Sequence, residues 1–144
     1  NKRYLPTLIH EFNHSFINYY LDENKYPEYV KQLEPAATDL FKSSQWSMSE
    51  QSYNNWVTMI NESIIRAIVI CYMLDKDYKQ EEIKSVPLEQ VQRNFRWMPE
   101  LVCLLREYEK KQKKYETFEN FYPRVIDFFK EYAKSENERF DVLK

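Results

Sequence analysis

The chain has 144 residues, a formal net charge of −2, no glycine and 17% aromatic residues, including twelve Tyr. One domain of this length can bury a real core, and a charge so near balance excludes electrostatic nucleic-acid binding. Hairpins and tight turns lean on glycine, so its absence points to an all-α fold of about six helices joined by polar, proline-containing loops.

The first helix is expected over Pro6–Leu21, with Pro6 in its first turn. It carries both histidines of the chain, in the string Thr7-Leu8-Ile9-His10-Glu11-Phe12-Asn13-His14-Ser15-Phe16. This is an HEXXH sequence. At about 100° per residue, with His10 at zero, His14 falls near 40° and Glu11 near 100°. Leu8, Ile9, Phe12, Phe16 and Tyr19 fall between about 160° and 260°, on the opposite, core-facing side. Two imidazoles one turn apart on one face can share a zinc ion.

Asp22-Glu23-Asn24 ends that helix, and a second is expected from Pro27 to Ser43, kinked or broken at Pro35. Ser44–Ser49 reads as a loop, with Ser49 capping a long helix from Glu50 to Asp75. Residues 76–86 are charged and read as looped or weakly helical. Pro87 opens a short helix to Arg96, and Pro99 another to Tyr115. The cluster Lys110-Lys111-Gln112-Lys113-Lys114 is flanked by acids and reads as a solvated helix end rather than a site for an anionic partner. Thr117 caps a final helix whose Phe118, Phe121, Tyr122, Val125, Phe129 and Tyr132 are spaced for one buried face. The chain thus divides into a metal site within 6–74 and a helical C-terminal extension over 87–135, in a single helical (sub)domain.

A catalytic zinc takes three protein ligands and a water. No third histidine exists, so the third ligand is a carboxylate or, less favourably, Cys71 or Cys103. Glu62 is the best candidate. In Trp56–Leu74 only Glu62 and Arg66 are charged. A carboxylate in so apolar a helix needs a partner, and two are available: the metal, or Arg66 one turn along. The polar centre of this stretch also argues against a membrane span. Asn18 and Asn55 are candidates to orient an imidazole. Arg66 is a candidate to orient Glu62 or to bind substrate or an oxyanion, and Tyr19, Tyr20, Tyr53 and Tyr72 are further candidates to stabilise an oxyanion. Both cysteines sit in apolar helical contexts and are expected as free, buried thiols.

At these residues the chain resembles the gluzincin metallopeptidases, with HEXXH on one helix and a Glu ligand on a later one. The Asn61-Glu62 pair is similar to the Asn-Glu of thermolysin-like enzymes. HEFNHSFIN followed by NESIIRA is closer still to a bacterial family regarded as zinc peptidases and catalogued as a domain of unknown function. The resemblance covers residues 6–74. It departs at Arg66, where thermolysin-like enzymes carry Asp, and in a longer gap between His14 and Glu62.

The resemblance implies peptide-bond hydrolysis on a peptide or protein substrate, with Zn2+ held by His10, His14 and Glu62 and with Glu11 as general base. In that pattern a β-sheet precedes the HEXXH helix. The expectation is therefore a C-terminal part of a larger metallopeptidase domain, lacking an N-terminal region of the same protein. The alternative is a non-enzymatic helical interaction module with a structural or vestigial metal site. Nothing in the sequence specifies a compartment.

Overall fold

The computed structural model describes residues 9, 13–76, 78, 79, 81, 85, 89–111 and 113–143. The chain is all-α, and among the described residues helix is the only regular structure. Residues 13–17 are helical and tighten into a 3-10 turn, Asn18–Leu21. Four long helices follow: α1 (Pro27–Glu50), α2 (Trp56–Asp75), α3 (Met98–Lys110) and α4 (Phe118–Asp141).

Side-chain contacts fix how these helices run. Tyr26 donates to Glu119 at 2.9 Å where α1 and α4 begin, and Ser43 donates to Glu136 at 3.2 Å further along both, so α1 and α4 are parallel. Trp97 Nε1 donates to Ser63 Oγ near the starts of α3 and α2, and Arg106 pairs with Asp75 near their ends, so these two are also parallel. The short links 51–55 and 111–117 make α1 and α2, and α3 and α4, antiparallel. Tyr108 and Phe121 lie 5.1 Å apart across the second link. The result is a four-helix ring closed by one long crossover, 76–97, with all four helices sharing a single core. The N-terminal segment lies against this ring, its Tyr20 stacked on Tyr122 at 4.8 Å.

α1 differs from expectation. It runs unbroken through Pro35 and through Ser44–Ser49. Pro35 and Lys31, whose carbonyl loses its intrahelical donor, both lie on the exposed face. Meanwhile Val30, Leu33, Ala37, Leu40, Ser44 and Met48 repeat at three- and four-residue steps and are buried. Arg96 donates to Ser43 and Ser44 at 3.0 and 2.7 Å. Packing and these bonds override the weak helix propensity of the serines.

The cap of α2 is Asn55, not Ser49: Asn55 Oδ1 accepts from Thr58 N at 2.8 Å, so α2 begins at Trp56. α2 is long and apolar enough by length and composition to cross a membrane, yet most of it is buried as the core helix. α3 opens at Met98, one residue before the expected Pro99, and stops at Lys110, short of Tyr115. Of the helix expected from Pro87, residues 89–92 are helical; Pro87 lies outside the described residues. Thr117 caps α4 by accepting from Asn120 N at 3.2 Å. The expected face is inward, with Phe121, Tyr122, Val125 and Phe129 buried.

Two helix ends solve a problem that glycine usually solves. After α1, Tyr53 N donates to Met48 O at 2.8 Å and Ser52 N to Ser49 O at 3.0 Å. After 89–92, Phe95 N donates to Gln90 O and Asn94 N to Val91 O, both at 2.9 Å. Each is a Schellman ending, which needs a left-handed residue. With no glycine available, Ser52 (φ 68°) and Asn94 (φ 71°) take that conformation. Asn tolerates it better than Ser does.

The cysteines are free, but only Cys71 is buried; Cys103 is exposed. Leu101, Val102 and Leu105 take the inward face of α3, which turns Cys103 outward. Burial pushes the Cys71 thiol up to about 12.

Two outcomes are expected. Ser52→Gly should stabilise the protein by about 0.5–1 kcal/mol by relieving a left-handed non-glycine residue; urea unfolding showing no gain would refute that account. A thiol reagent at neutral pH should modify Cys103 alone in the native protein and both cysteines after unfolding.

Candidate metal centre

The N-terminal helical segment lays His14 against the middle of α2. Its Nε2 lies 3.0 Å from Glu62 Oε1. Glu62 is 5% exposed, and the His14 side chain is 30% exposed, so the pair sits at the edge of the core. Two residues far apart in sequence, expected as ligands of one ion, therefore meet side by side.

The other carboxylate oxygen is held from within α2. Arg66 Nε donates to Glu62 Oε2 at 3.1 Å. The remaining guanidinium nitrogens are also engaged: Nη1 donates to Gln90 Oε1 at 2.8 Å and Nη2 to Tyr53 Oη at 2.7 Å. The guanidinium carbon lies 5.0 Å from the centre of the Phe95 ring. Tyr53 and Phe95 are the aromatic residues that directly follow the two left-handed positions, Ser52 and Asn94. The two Schellman endings thus deliver the walls and one acceptor of the Arg66 niche.

Burial raises the Tyr53 phenol pKa; the Arg66 charge opposes this and the Glu62 charge adds to it. The phenol therefore stays neutral and accepts from Arg66. With every nitrogen bonded, Arg66 is built to fix the Glu62 carboxylate rather than to reach toward a substrate.

The other sequence-derived candidates fall in distinct places. His10 and Glu11 lie outside the described residues. Asn18 is exposed in the 3-10 turn. Asn55 spends Oδ1 on capping α2. Tyr20 belongs to the aromatic packing against Tyr122, Tyr19 is 45% exposed beneath the Lys25 ammonium, and Tyr72 packs edge-on against Tyr78. Cys71 Sγ faces the Val102 carbonyl at 3.9 Å, and neither cysteine joins the His14–Glu62 pair. Asn61 is buried, and its Oδ1 has no hydrogen-bond partner.

Gln90 and Phe95 are the site residues that sequence reasoning missed. The available signal was Arg66 itself: a guanidinium inside an apolar helix needs acceptors beyond Glu62.

Does this pair fit a zinc ion? At bond lengths of about 2.1 Å, two donors on a tetrahedral zinc sit roughly 3.4 Å apart. A 3.0 Å imidazole–carboxylate edge needs only a small outward adjustment, and nitrogen plus carboxylate oxygen is a suitable donor set. Among the described residues no group of three His, Cys, Asp or Glu could hold a metal.

Removing Arg66 would take from a buried carboxylate the guanidinium that holds its Oε2. Arg66→Met should destabilise the metal-free protein by about 3–5 kcal/mol in urea unfolding, and Glu62→Gln in the same background should recover part of the loss. Equal stability of Arg66→Met and the parent chain would show that Glu62 does not depend on the guanidinium.

Residues 1–128 match the family described as Domain of unknown function (DUF4932), a span that includes His10, Glu11, His14, Glu62 and Arg66. No curated protein and no solved structure matches the chain. The chain belongs to the DUF4932 family.

Proposed function

We propose that this chain carries the metal centre of a zinc-dependent peptidase of the gluzincin type, with His10, His14 and Glu62 as ligands and Glu11 as general base. The observation that carries the reading is the 3.0 Å approach of His14 Nε2 to Glu62 Oε1, two residues singled out for metal binding by type and spacing alone. The Arg66 niche adds support, because a ligating carboxylate is normally held by a neighbouring hydrogen bond.

Bound zinc would supply Lewis acidity, polarising a substrate carbonyl and lowering the pKa of water. The protein's own groups do the rest. His14 presents Nε2 as a donor, and the Arg66 guanidinium holds Glu62 with one oxygen turned toward that imidazole. Glu11, one residue after His10 in the sequence, would take the proton of the attacking water and pass it to the leaving amine. The same arrangement is self-sufficient without metal, since His14 and Arg66 both bond Glu62. That favours, as a second reading, a helical interaction module in which the pair only ties the N-terminal segment to α2.

Metal analysis separates the two. The purified protein should bind one zinc, and His14→Ala and Glu62→Gln should each lower its affinity by at least roughly tenfold. Glu11→Gln should keep zinc and abolish cleavage of a peptide library. Zinc binding indifferent to both ligand substitutions, or full activity in Glu11→Gln, would end the peptidase reading.

A further inference from the structure

A second feature lies beside the N-terminal segment, lined by residues other than those of the Arg66 niche. That segment, the C-terminal half of α2, the end of α3 and the start of α4 enclose an open groove of about 550 Å³. Its walls are apolar: Phe16, Ile68, Leu105, Tyr108 and Phe118 line it, and Phe16 is 45% exposed. Where α2 and α3 finish, the lining becomes acidic with Asp75 and Glu109. From Ile68 to Asp75 the groove follows roughly 10 Å of α2.

Arg106 is shared by both acids, pairing with Asp75 and lying 3.2 Å from Glu109. Lys76, next along the chain, is not part of the lining; its ammonium rests over the Tyr72 ring at 5.6 Å. Burial first and the Asp75 charge second raise the Glu109 carboxyl pKa, although Arg106 and Lys110 oppose the rise. Among the described residues the charged side chains that line the groove, Asp75 and Glu109, are both acidic.

An apolar trough whose charged lining is acidic complements an occupant that carries an apolar group next to a cation. We propose that this groove binds a peptide segment in which a large apolar side chain is followed by lysine or arginine, the apolar group lying against Ile68 and Phe118 and the cation reaching Asp75 and Glu109. The site goes beyond the metal reading and does not need it, since none of its lining residues is a proposed ligand.

The test is calorimetric titration of chelator-treated protein, at low salt, with acetyl-Phe-Lys-amide, acetyl-Phe-norleucine-amide and acetyl-Phe-Glu-amide. The lysine peptide should bind roughly five- to tenfold tighter than its neutral counterpart, the size expected of a half-exposed ion pair, and the glutamate peptide should bind most weakly. Asp75→Asn should erase the lysine advantage and leave the norleucine affinity unchanged. Ile68→Trp should block all three peptides. Phe16→Ala, at a half-exposed wall position, should weaken all three and serves where the larger side chain prevents folding. Equal affinities across the set, no binding of the lysine peptide at millimolar concentration, or a lysine preference that survives Asp75→Asn would overturn the proposal. Because zinc is absent throughout, none of these results bears on the peptidase reading, and loss of zinc binding would leave the groove untouched.

Discussion

A carboxylate inside an apolar helix is the constraint around which this molecule is organised. Glu62 is 5% exposed, and desolvating an unpaired carboxylate would cost several kcal/mol. Its two oxygens are answered from different directions: Oε2 by Arg66 of the same helix, Oε1 by His14 of the N-terminal segment. The first contact is local and follows from i,i+4 spacing. The second is tertiary and ties the start of the chain to the middle of the bundle. A metal would exploit this arrangement rather than create it, because the carboxylate is already oriented.

The guanidinium carries the same problem one step outward. Arg66 needs acceptors for each of its nitrogens, and the chain meets that need with two loop-borne groups, the Tyr53 hydroxyl and the Gln90 amide. Both arrive through helix endings of one type. In each, the residue after the left-handed position is aromatic and turns inward, so the backbone geometry that terminates a helix also aims a ring at Arg66. A chain without glycine accepts strain at Ser52, and less at Asn94, to make those turns. Backbone strain at two loops and charge compensation in the core are thus parts of one construction.

Arg96 repeats the logic on the opposite side of the ring. It donates to Glu136, Ser43, Ser44 and Asn94 and lies over the Trp97 ring. This joins the crossover 76–97 to α1 and α4. The long connection between the parallel helices α2 and α3 is therefore anchored at two arginines. The serine-rich end of α1, poor in intrinsic helix propensity, is kept helical by the bonds Arg96 makes to it.

The helical class was legible because it rests on composition and periodicity: no glycine, apolar residues at three- and four-residue steps, and polar breaks between them. The inward face of α4, the capping Thr117 and the role of α2 as a buried helix could be read for the same reason. So could His14 and Glu62 as members of one site, since residue type and an apolar setting limit what a carboxylate can do. What could not be read was any feature depending on a distant partner. Pro35 looked like a break because the buried residues on either side of it cannot be weighed from propensity. Ser44–Ser49 looked like a loop because Arg96 lies far along the chain, and Cys103 looked buried because its helix face is decided by what α3 packs against. The sequence alone settled which side chains needed partners. The tertiary structure decided which partners they found, because loop closure and packing across the ring bring together groups whose separation along the chain carries no local signal.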